Sequence, residues 1–306
     1  MWKRSSVNKT SAQRSIFPTT LPIGTIGDLL AGCTAMLESV GIDEPDREAR
    51  DIIAAVLDVP RFWAAANSVA DASPEVAVSV IRAAMNRAAG APLAYAVGRA
   101  SFRHITLDVD ERVLIPRVET EVLVERVLDH CTSKTRRIAD IGTGSGAIAL
   151  SLAFEREFDL VFATDISVDA LTVASANATS LAKVVKSPVE FRHGSLLAPL
   201  AGEKLDAVVC NPPYISFAEI GELPADVRDW EPCLALLCPD EGLSVTRELI
   251  RTSPSVLVHG GFLAIEVDTR RAGTVAEMVA VDGRYSGVEV LLDLTGRERF
   301  VFATRA

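Results

Sequence analysis

Several absences narrow this sequence before any motif does. No apolar run approaches the ~20 residues needed to cross a bilayer, so no membrane span is expected. Cysteine is sparse and unpatterned: Cys33, Cys131, Cys210, Cys233 and Cys238 are odd in number and form no Cys-x-x-Cys pair. The four histidines, His104, His130, His193 and His259, are equally dispersed. No metal site is therefore expected, and the thiols read as buried residues of a reducing compartment. Basic residues are outnumbered, 31 against 41 acids, for a net charge of −10. That balance argues against a protein that grips nucleic-acid backbone over a large surface, although a local basic patch stays compatible with it. Internal repeats and low-complexity segments are absent. The first fifteen residues hold no acid and carry Lys3, Arg4, Lys9 and Arg14. Organellar transit peptides share that composition, but the preferred reading is a disordered tail, residues 1–20, on a bacterial cytoplasmic protein.

What is present is ordinary globular material, 49% hydrophobic and 24% charged over 306 residues, enough for two domains. Residues 21–90 read as a small helical bundle. Thr25 can cap a helix running to Val40 before Gly41, a second covers Pro45–Leu57, and Ser73-Pro74 opens a third toward Ala89 and Gly90. Residues 91–117 read as a hairpin and linker, with partial alternation from Ser101 to Val109. Residues 118–306 form the expected catalytic domain. After a helix at Glu119–His130, strands at Ile138–Ile141, Leu160–Thr164, Val189–His193, Leu205–Cys210 and Phe262–Val267 alternate with helices at Gly146–Glu157, Ser167–Leu181, Glu241–Val258 and Ala272–Val281. Alternation of this kind gives a parallel sheet covered on both faces. Strands at Val288–Leu292 and Arg299–Ala303 have so short a connection that they must pair antiparallel.

Two stretches carry chemistry. Asp140-Ile141-Gly142-Thr143-Gly144-Ser145-Gly146 turns the first of these strands into its helix, where nucleotides bind at the carboxyl edge of such a sheet. Its spacing is G-x-G-x-G, not the G-x-G-x-x-G of dinucleotide-binding folds. The acid at 140 suits a cationic amino-acid headgroup better than a pyrophosphate. Asp165, ending the next strand, can take both hydroxyls of a ribose. A ligand with ribose, an ammonium group and no phosphate is S-adenosylmethionine. The plain structural readings are a helix cap for Asp140 and a solvated strand-end acid for Asp165.

The second stretch is Cys210-Asn211-Pro212-Pro213-Tyr214, a strand running into a proline-stiffened loop. The Asn211 side-chain oxygen and the Pro212 carbonyl can each accept one hydrogen of a planar NH2 group while Tyr214 stacks on its flat face. Asn211 would then stand at the border between methyl donor and target. Asn211, Pro212 and Tyr214 are the expected catalytic residues, and together with Pro213 they are the expected substrate-binding residues.

With these residues in view, the chain resembles the HemK/PrmC family of N5-glutamine methyltransferases, weakly from about Thr25 and strongly from Pro92. The resemblance is carried by Val113-Leu114-Ile115-Pro116-Arg117-Val118-Glu119-Thr120-Glu121, the glycine turn, Asn211–Tyr214, Glu231-Pro232 with Ala235-Leu236, and Asp293-Leu294-Thr295-Gly296-Arg297. It implies a class I S-adenosylmethionine-dependent methyltransferase with a Rossmann-like seven-stranded sheet, an antiparallel last strand and an N-terminal helical bundle. It also implies methyl transfer to the glutamine side-chain amide of a Gly-Gly-Gln tripeptide in class I peptide chain release factors, held with help from the helical domain. Pro116, Arg117, Glu119, Thr120 and Glu121 become candidate pocket-lining residues. The chain departs from the family pattern in three places. Val118 replaces a proline, Ser195 and Leu196 stand where an acid commonly meets adenine, and Asp268 replaces a glycine.

Other readings stay open at this level. The same Asn-Pro-Pro-Tyr occurs in adenine methyltransferases of DNA, and a divergent glutamine methyltransferase could act on another protein. A catalytically silent adaptor and a nicotinamide dehydrogenase fit less well. A monomer is expected.

Overall fold

The computed structural model describes residues 24–306, so the tail expected at residues 1–20 lies outside the described residues. The chain divides into two units, one ending at Val97 and the other beginning at Gly98. The segment 91–117 is shared between them: its helix belongs to the first and its hairpin to the second.

The first unit is helical, with α1 at Ile26–Ser39, α2 at Pro45–Leu57, a short α3 at Trp63–Ala66, α4 at Pro74–Ala88 and α5 at Leu93–Val97. Its ends follow the side chains that cap them. Thr25 and Asp28 form a reciprocal capping box at the start of α1, and the Ser73 hydroxyl accepts from the Val76 amide at the start of α4. Leu29, Leu37, Ile52, Ile53 and Val80 have no solvent exposure and make its core. Helices α3 and α5 are too short for sequence periodicity to announce.

The second unit opens with a hairpin, β1 at Arg99–Phe102 and β2 at Ile105–Asp108, turned by Arg103 in the left-handed region. The Arg103 guanidinium makes a two-pronged ion pair with Glu155 and donates to the Glu121 carbonyl, pinning the hairpin to the body of the unit. Helix α6 at Val118–His130 follows. Then β3 at Arg137–Ile141, α7 at Ala147–Glu155, β4 at Leu160–Asp165, α8 at Val168–Leu181, β5 at Val189–His193 and β6 at Leu205–Cys210 alternate as predicted. Short helices α9 (Ala225–Trp230), α10 (Cys233–Leu236) and α11 (Pro239–Gly242) lead to α12 at Ser244–Thr252. The chain closes with β7 at Leu257–Glu266, α13 at Ala272–Asp282, β8 at Tyr285–Leu292 and β9 at Glu298–Arg305.

The seven strands lie in the order β5-β4-β3-β6-β7-β9-β8. All run parallel except β9, which pairs antiparallel with both neighbours. Phe162, Phe300 and Phe302 are among the largest fully buried side chains, each worth about 1.5–3 kcal/mol of burial.

One expected element is corrected. The single helix expected over Glu241–Val258 is confined to Ser244–Thr252, and β7 begins at Leu257 instead of Phe262. Asp240, Glu241 and Gly242 all have positive φ, and a Cβ at Gly242 would overlap the Tyr214 carbonyl. The backbone must twist there to pass that loop, so α11 is a distorted turn with left-handed residues inside and a regular helix cannot run through it. Pro254 then tightens the far end into a 3₁₀ turn at Ser253–Ser255.

Candidate active site

Strand register builds the site. Thr164, Ile141, Cys210 and Ile265 are partners in one row across β4, β3, β6 and β7. The next residue on each of these parallel strands is Asp165, Gly142, Asn211 and Glu266. The two stretches singled out in the sequence therefore leave the sheet side by side at its carboxyl edge, with an acid on either flank.

At one end is the glycine turn. Gly142, Gly144 and Gly146 all have positive φ, and the amides of Gly142 and Thr143 donate to the Thr164 carbonyl at 2.8 and 2.9 Å. A Cβ built on Gly142 or Gly144 would meet nothing within 4 Å, so these two face open space. At Gly146 a Cβ would press on Leu150, so this glycine serves helix packing instead. Thr143 and Ser145 are buried beneath the turn. Asp140 is fully buried: one carboxylate oxygen accepts from the Thr143 hydroxyl at 2.6 Å and the Ala149 amide at 3.1 Å. Its other oxygen is buried with no partner. Burial pushes its pKa up to about 7, against those two hydrogen bonds and reinforced by the nearby Asp165 charge. Asp165 is nearly buried and accepts from the Gly144 and Ser167 amides, both at 2.9 Å.

Beyond β5, Leu196 is half-buried with φ of 48° and takes the Thr164 hydroxyl on its carbonyl, while Ser195 is exposed. Asn177, which sequence reasoning missed, is buried on α8 and ties the glycine turn to the hairpin. It donates to the carbonyls of Ser145 and Asp108 and accepts the Asp108 amide at 2.7 Å.

At the other end, Leu114, Arg117, Asn211, Pro212, Tyr214, Leu223, Pro224 and Val227 line a cavity of about 200 Å³ together with Ile215, Ala235 and Leu236. A dry cavity of ~150 Å³ takes a ligand of benzene's size, so this one has room for a side chain such as glutamine. Asn211 donates through Nδ2 to the Thr120 hydroxyl at 3.0 Å, and Thr120 donates to Glu266 at 2.8 Å. Thr120 and Glu266 are both buried, and burial raises the Glu266 pKa to about 7, partly offset by the Thr120 hydrogen bond. Arg117 pairs at 2.6 Å with the buried Glu231, which also accepts the Ile115 amide. The Tyr214 phenol, desolvated, is pushed up to about 12 and stays neutral. Of the remaining expected pocket residues, Pro116 and Glu121 are half-buried and Glu119 is exposed. Pro213 is half-buried within the loop. The Cys210 thiol donates to the Ile141 carbonyl at 3.0 Å and is held well above its ordinary pKa by burial, so it is no nucleophile.

Glu266 is the residue whose place sequence alone left unused. Its one signal is a lone acid closing the apolar run Phe262–Ile265. Asp268, the departure noted above, binds the Arg270 side chain at 2.9 Å and ion-pairs with Arg271, which in turn holds Glu219 of the loop after the Asn-Pro-Pro-Tyr stretch. Among the described residues no group of acids, histidines and cysteines could hold a metal ion.

A seven-stranded sheet with one antiparallel strand, a glycine turn on its first strand and an Asn-Pro-Pro-Tyr loop on its fourth defines an S-adenosylmethionine-dependent methyltransferase of class I. Family models agree: residues 104–222 match the methyltransferase small domain and residues 28–98 match the PrmC N-terminal domain. The release factor glutamine methyltransferase of Moorella thermoacetica is 41% identical over 92% of this chain and 99% of its own. That of Deinococcus radiodurans is 37% identical over 91% and 98%. The chain belongs to the release factor glutamine methyltransferase family. Among solved structures, the hMettl16 catalytic domain bound to a MAT2A 3'UTR hairpin aligns over 78% of this chain and 84% of its own. Its TM-score is 0.52 at 18% identity, a likeness of fold.

The residues fit the methyl donor. The open space at Gly142 and Gly144 is a cradle that any Cβ would fill, and the unpartnered oxygen of Asp140 is a buried acceptor left for an ammonium group.

Proposed function

We propose that this protein methylates the side-chain amide nitrogen of the glutamine in the Gly-Gly-Gln tripeptide of class I release factors. The observation that carries this reading is the register of Ile141 with Cys210, which sets the glycine turn and Asn211 side by side beside a cavity of side-chain size. When bound, S-adenosylmethionine supplies an electrophilic methyl group: its S–C bond breaks as an N–C bond forms, leaving a thioether and releasing one proton from nitrogen.

The chain's own residues do the positioning. Asp165 and the Gly142–Gly144 backbone hold the ribose and amino-acid ends of the donor, with Asp140 near its ammonium group. Leu196 packs against the adenine, and Ser195 lies beside it. In the cavity, Asn211 Oδ1 and the Pro212 carbonyl accept the two hydrogens of the target amide, and Tyr214 covers its face. An amide nitrogen is a poor nucleophile because its lone pair is delocalised. Two acceptors fixed in place localise that pair and aim it at the methyl carbon. The lining offers no general base: Tyr214 stays protonated, and the proton leaves to water after transfer.

The helical unit, matching the PrmC N-terminal domain, is the proposed docking module for the protein substrate. The proposed state of the protein is a monomer. Its proposed setting is the cytoplasm, where release factors work. The test is intact-mass analysis of a class I release factor incubated with this protein and S-adenosylmethionine, beside a variant with the tripeptide glutamine changed to alanine. One added methyl on the first and none on the second is expected. No methyl on either, with donor binding shown by calorimetry, would move the substrate to another protein.

A further inference from the structure

We propose that Thr120 and Glu266 are positioning residues for methyl transfer, setting which end of the Asn211 side-chain amide faces the substrate. The inference rests on the reading that Asn211 accepts a hydrogen of the target amide.

An asparagine amide is nearly symmetric in shape but opposite in polarity at its two ends. An oxygen turned to the cavity accepts a target N–H, whereas an NH2 group turned there repels it. Nothing in the Asn-Pro-Pro-Tyr loop distinguishes these two states. The distinction comes from two side chains distant in sequence. A threonine hydroxyl has one proton. Glu266 accepts it at 2.8 Å, so Thr120 can only accept from Asn211, which offers Nδ2 at 3.0 Å. Oδ1 is thereby left for the cavity that Asn211 lines. The polarity of this two-bond chain is fixed by the carboxylate at its buried end. Thr120 on α6 and Glu266 on β7 have little solvent exposure, 4% and 1%, so the two are shielded from bulk solvent.

A carboxylic acid at Glu266 no longer fixes the chain, because it has both a donor and an acceptor. Its O–H can donate to Thr120, Thr120 to Asn211 Oδ1, and the amide can then turn its NH2 group to the substrate. The groups facing Glu266 are Arg117 and Glu119 at the start of α6 with Thr120, Arg299 on β9, and the Cys210 thiol and Tyr214 phenol. Burial outweighs the two arginines, and the carboxyl titrates at about 7. At saturating donor and release factor, kcat therefore falls as pH drops below about 7. Asp140 titrates in the same range, but it sits at the donor end, and its titration enters the KM for the donor.

The experiment measures methyl transfer between pH 6 and 8.5 for the wild type, Thr120→Val, Thr120→Ser and Glu266→Gln, with donor affinity by calorimetry and melting curves alongside. Thr120→Val is expected to lower kcat by about ten- to a hundredfold with little change in donor affinity, and Thr120→Ser to recover most of the loss. Glu266→Gln can present either polarity to Thr120, so it should lower kcat above pH 7 and abolish its acid limb. Should Thr120→Val fail to fold, Glu266→Gln against Thr120→Ser decides the matter. An acid limb retained in Glu266→Gln, or full kcat in a folded Thr120→Val while Asn211→Ala is inactive, would overturn the relay and leave the proposed activity standing. A wild type that methylates no release factor would instead overturn the reading on which the inference rests.

Discussion

The two ends of the site are built by different means. At the donor end, the hydrogen bonds that shape the turn stay within one strand-helix-strand unit: Thr143 to Asp140, Ala149 to Asp140, and Gly144 across to Asp165 at the end of the next strand. At the target end they join residues far apart in sequence: Asn211 to Thr120, Arg117 to Glu231, Thr120 to Glu266. The donor end is a local motif that any sheet of this kind could carry. The target end exists only once α6, β6, β7 and the loop after β6 have met. Recognition of a common donor can thus be supplied by a turn, while recognition of one particular amide needs tertiary assembly.

Substitutions at the two ends should separate accordingly. The largest effect is expected from Asn211→Ala, which should cut turnover by about a hundred- to a thousandfold and leave donor affinity nearly unchanged in calorimetry. Asp165→Ala should do the reverse, weakening donor binding by about ten- to a hundredfold, with kcat at saturation largely kept. If both substitutions raised only the donor dissociation constant, the two ends would be one site and the assignment of Asn211 to the target amide would fail. Arg117→Ala comes next, because it strands a buried carboxylate. We expect a loss of about 1–3 kcal/mol in urea unfolding, with Glu231→Gln milder because the Arg117 guanidinium it leaves unpaired is partly exposed to solvent.

The smallest effect is on the pH dependence of stability without donor. Asp140 and Glu266 titrate at about 7 in the fold, above their ordinary values of 3.8 and 4.5. The folded protein therefore binds more protons than the unfolded chain between about pH 4 and 7, and their contribution falls as pH rises through that window. Glu219 and Asp293 are held at about 2, Asp293 chiefly by Thr295 and the Arg297 amide, and Glu219 by Ser216 and Arg271 against its desolvation. Their contribution is present above ordinary carboxylate values and is lost as pH falls toward 2, outside the upper part of the window. Urea midpoints should decline from pH 5 to 7, and less steeply in Glu266→Gln. A flat profile in the wild type would mean that neither acid is desolvated as described.

The same contrast explains what could be read from the residues alone. The alternation of strands and helices, the turn at Gly142–Gly146 and the caps at Thr25 and Ser73 are signals within a few residues of one another, and they were legible. Thr120 could be named as a pocket residue, but its partners could not, because hydrogen bonds across long stretches of chain leave no spacing to read. The helix expected from Glu241 failed for a related reason. Its residues have helical composition, and the obstacle is the Tyr214 carbonyl, from another part of the chain. Asp140 was legible as an acid beside the turn, yet its complete burial and its bond to Thr143 came only with the packed strands.

The position of β9 has a consequence for how the protein is made. The strand at Glu298–Arg305 lies inside the sheet, between β7 and β8, although both neighbours precede it in synthesis. A nascent chain emerging from the ribosome can pair β3, β4 and β6 early, so the donor turn can take shape while translation continues. Strand β7, which carries Glu266, has an unpaired edge until β9 slots in, and that edge is a hazard for wrong pairing. Competence to react thus arrives last, after the capacity to hold the methyl donor.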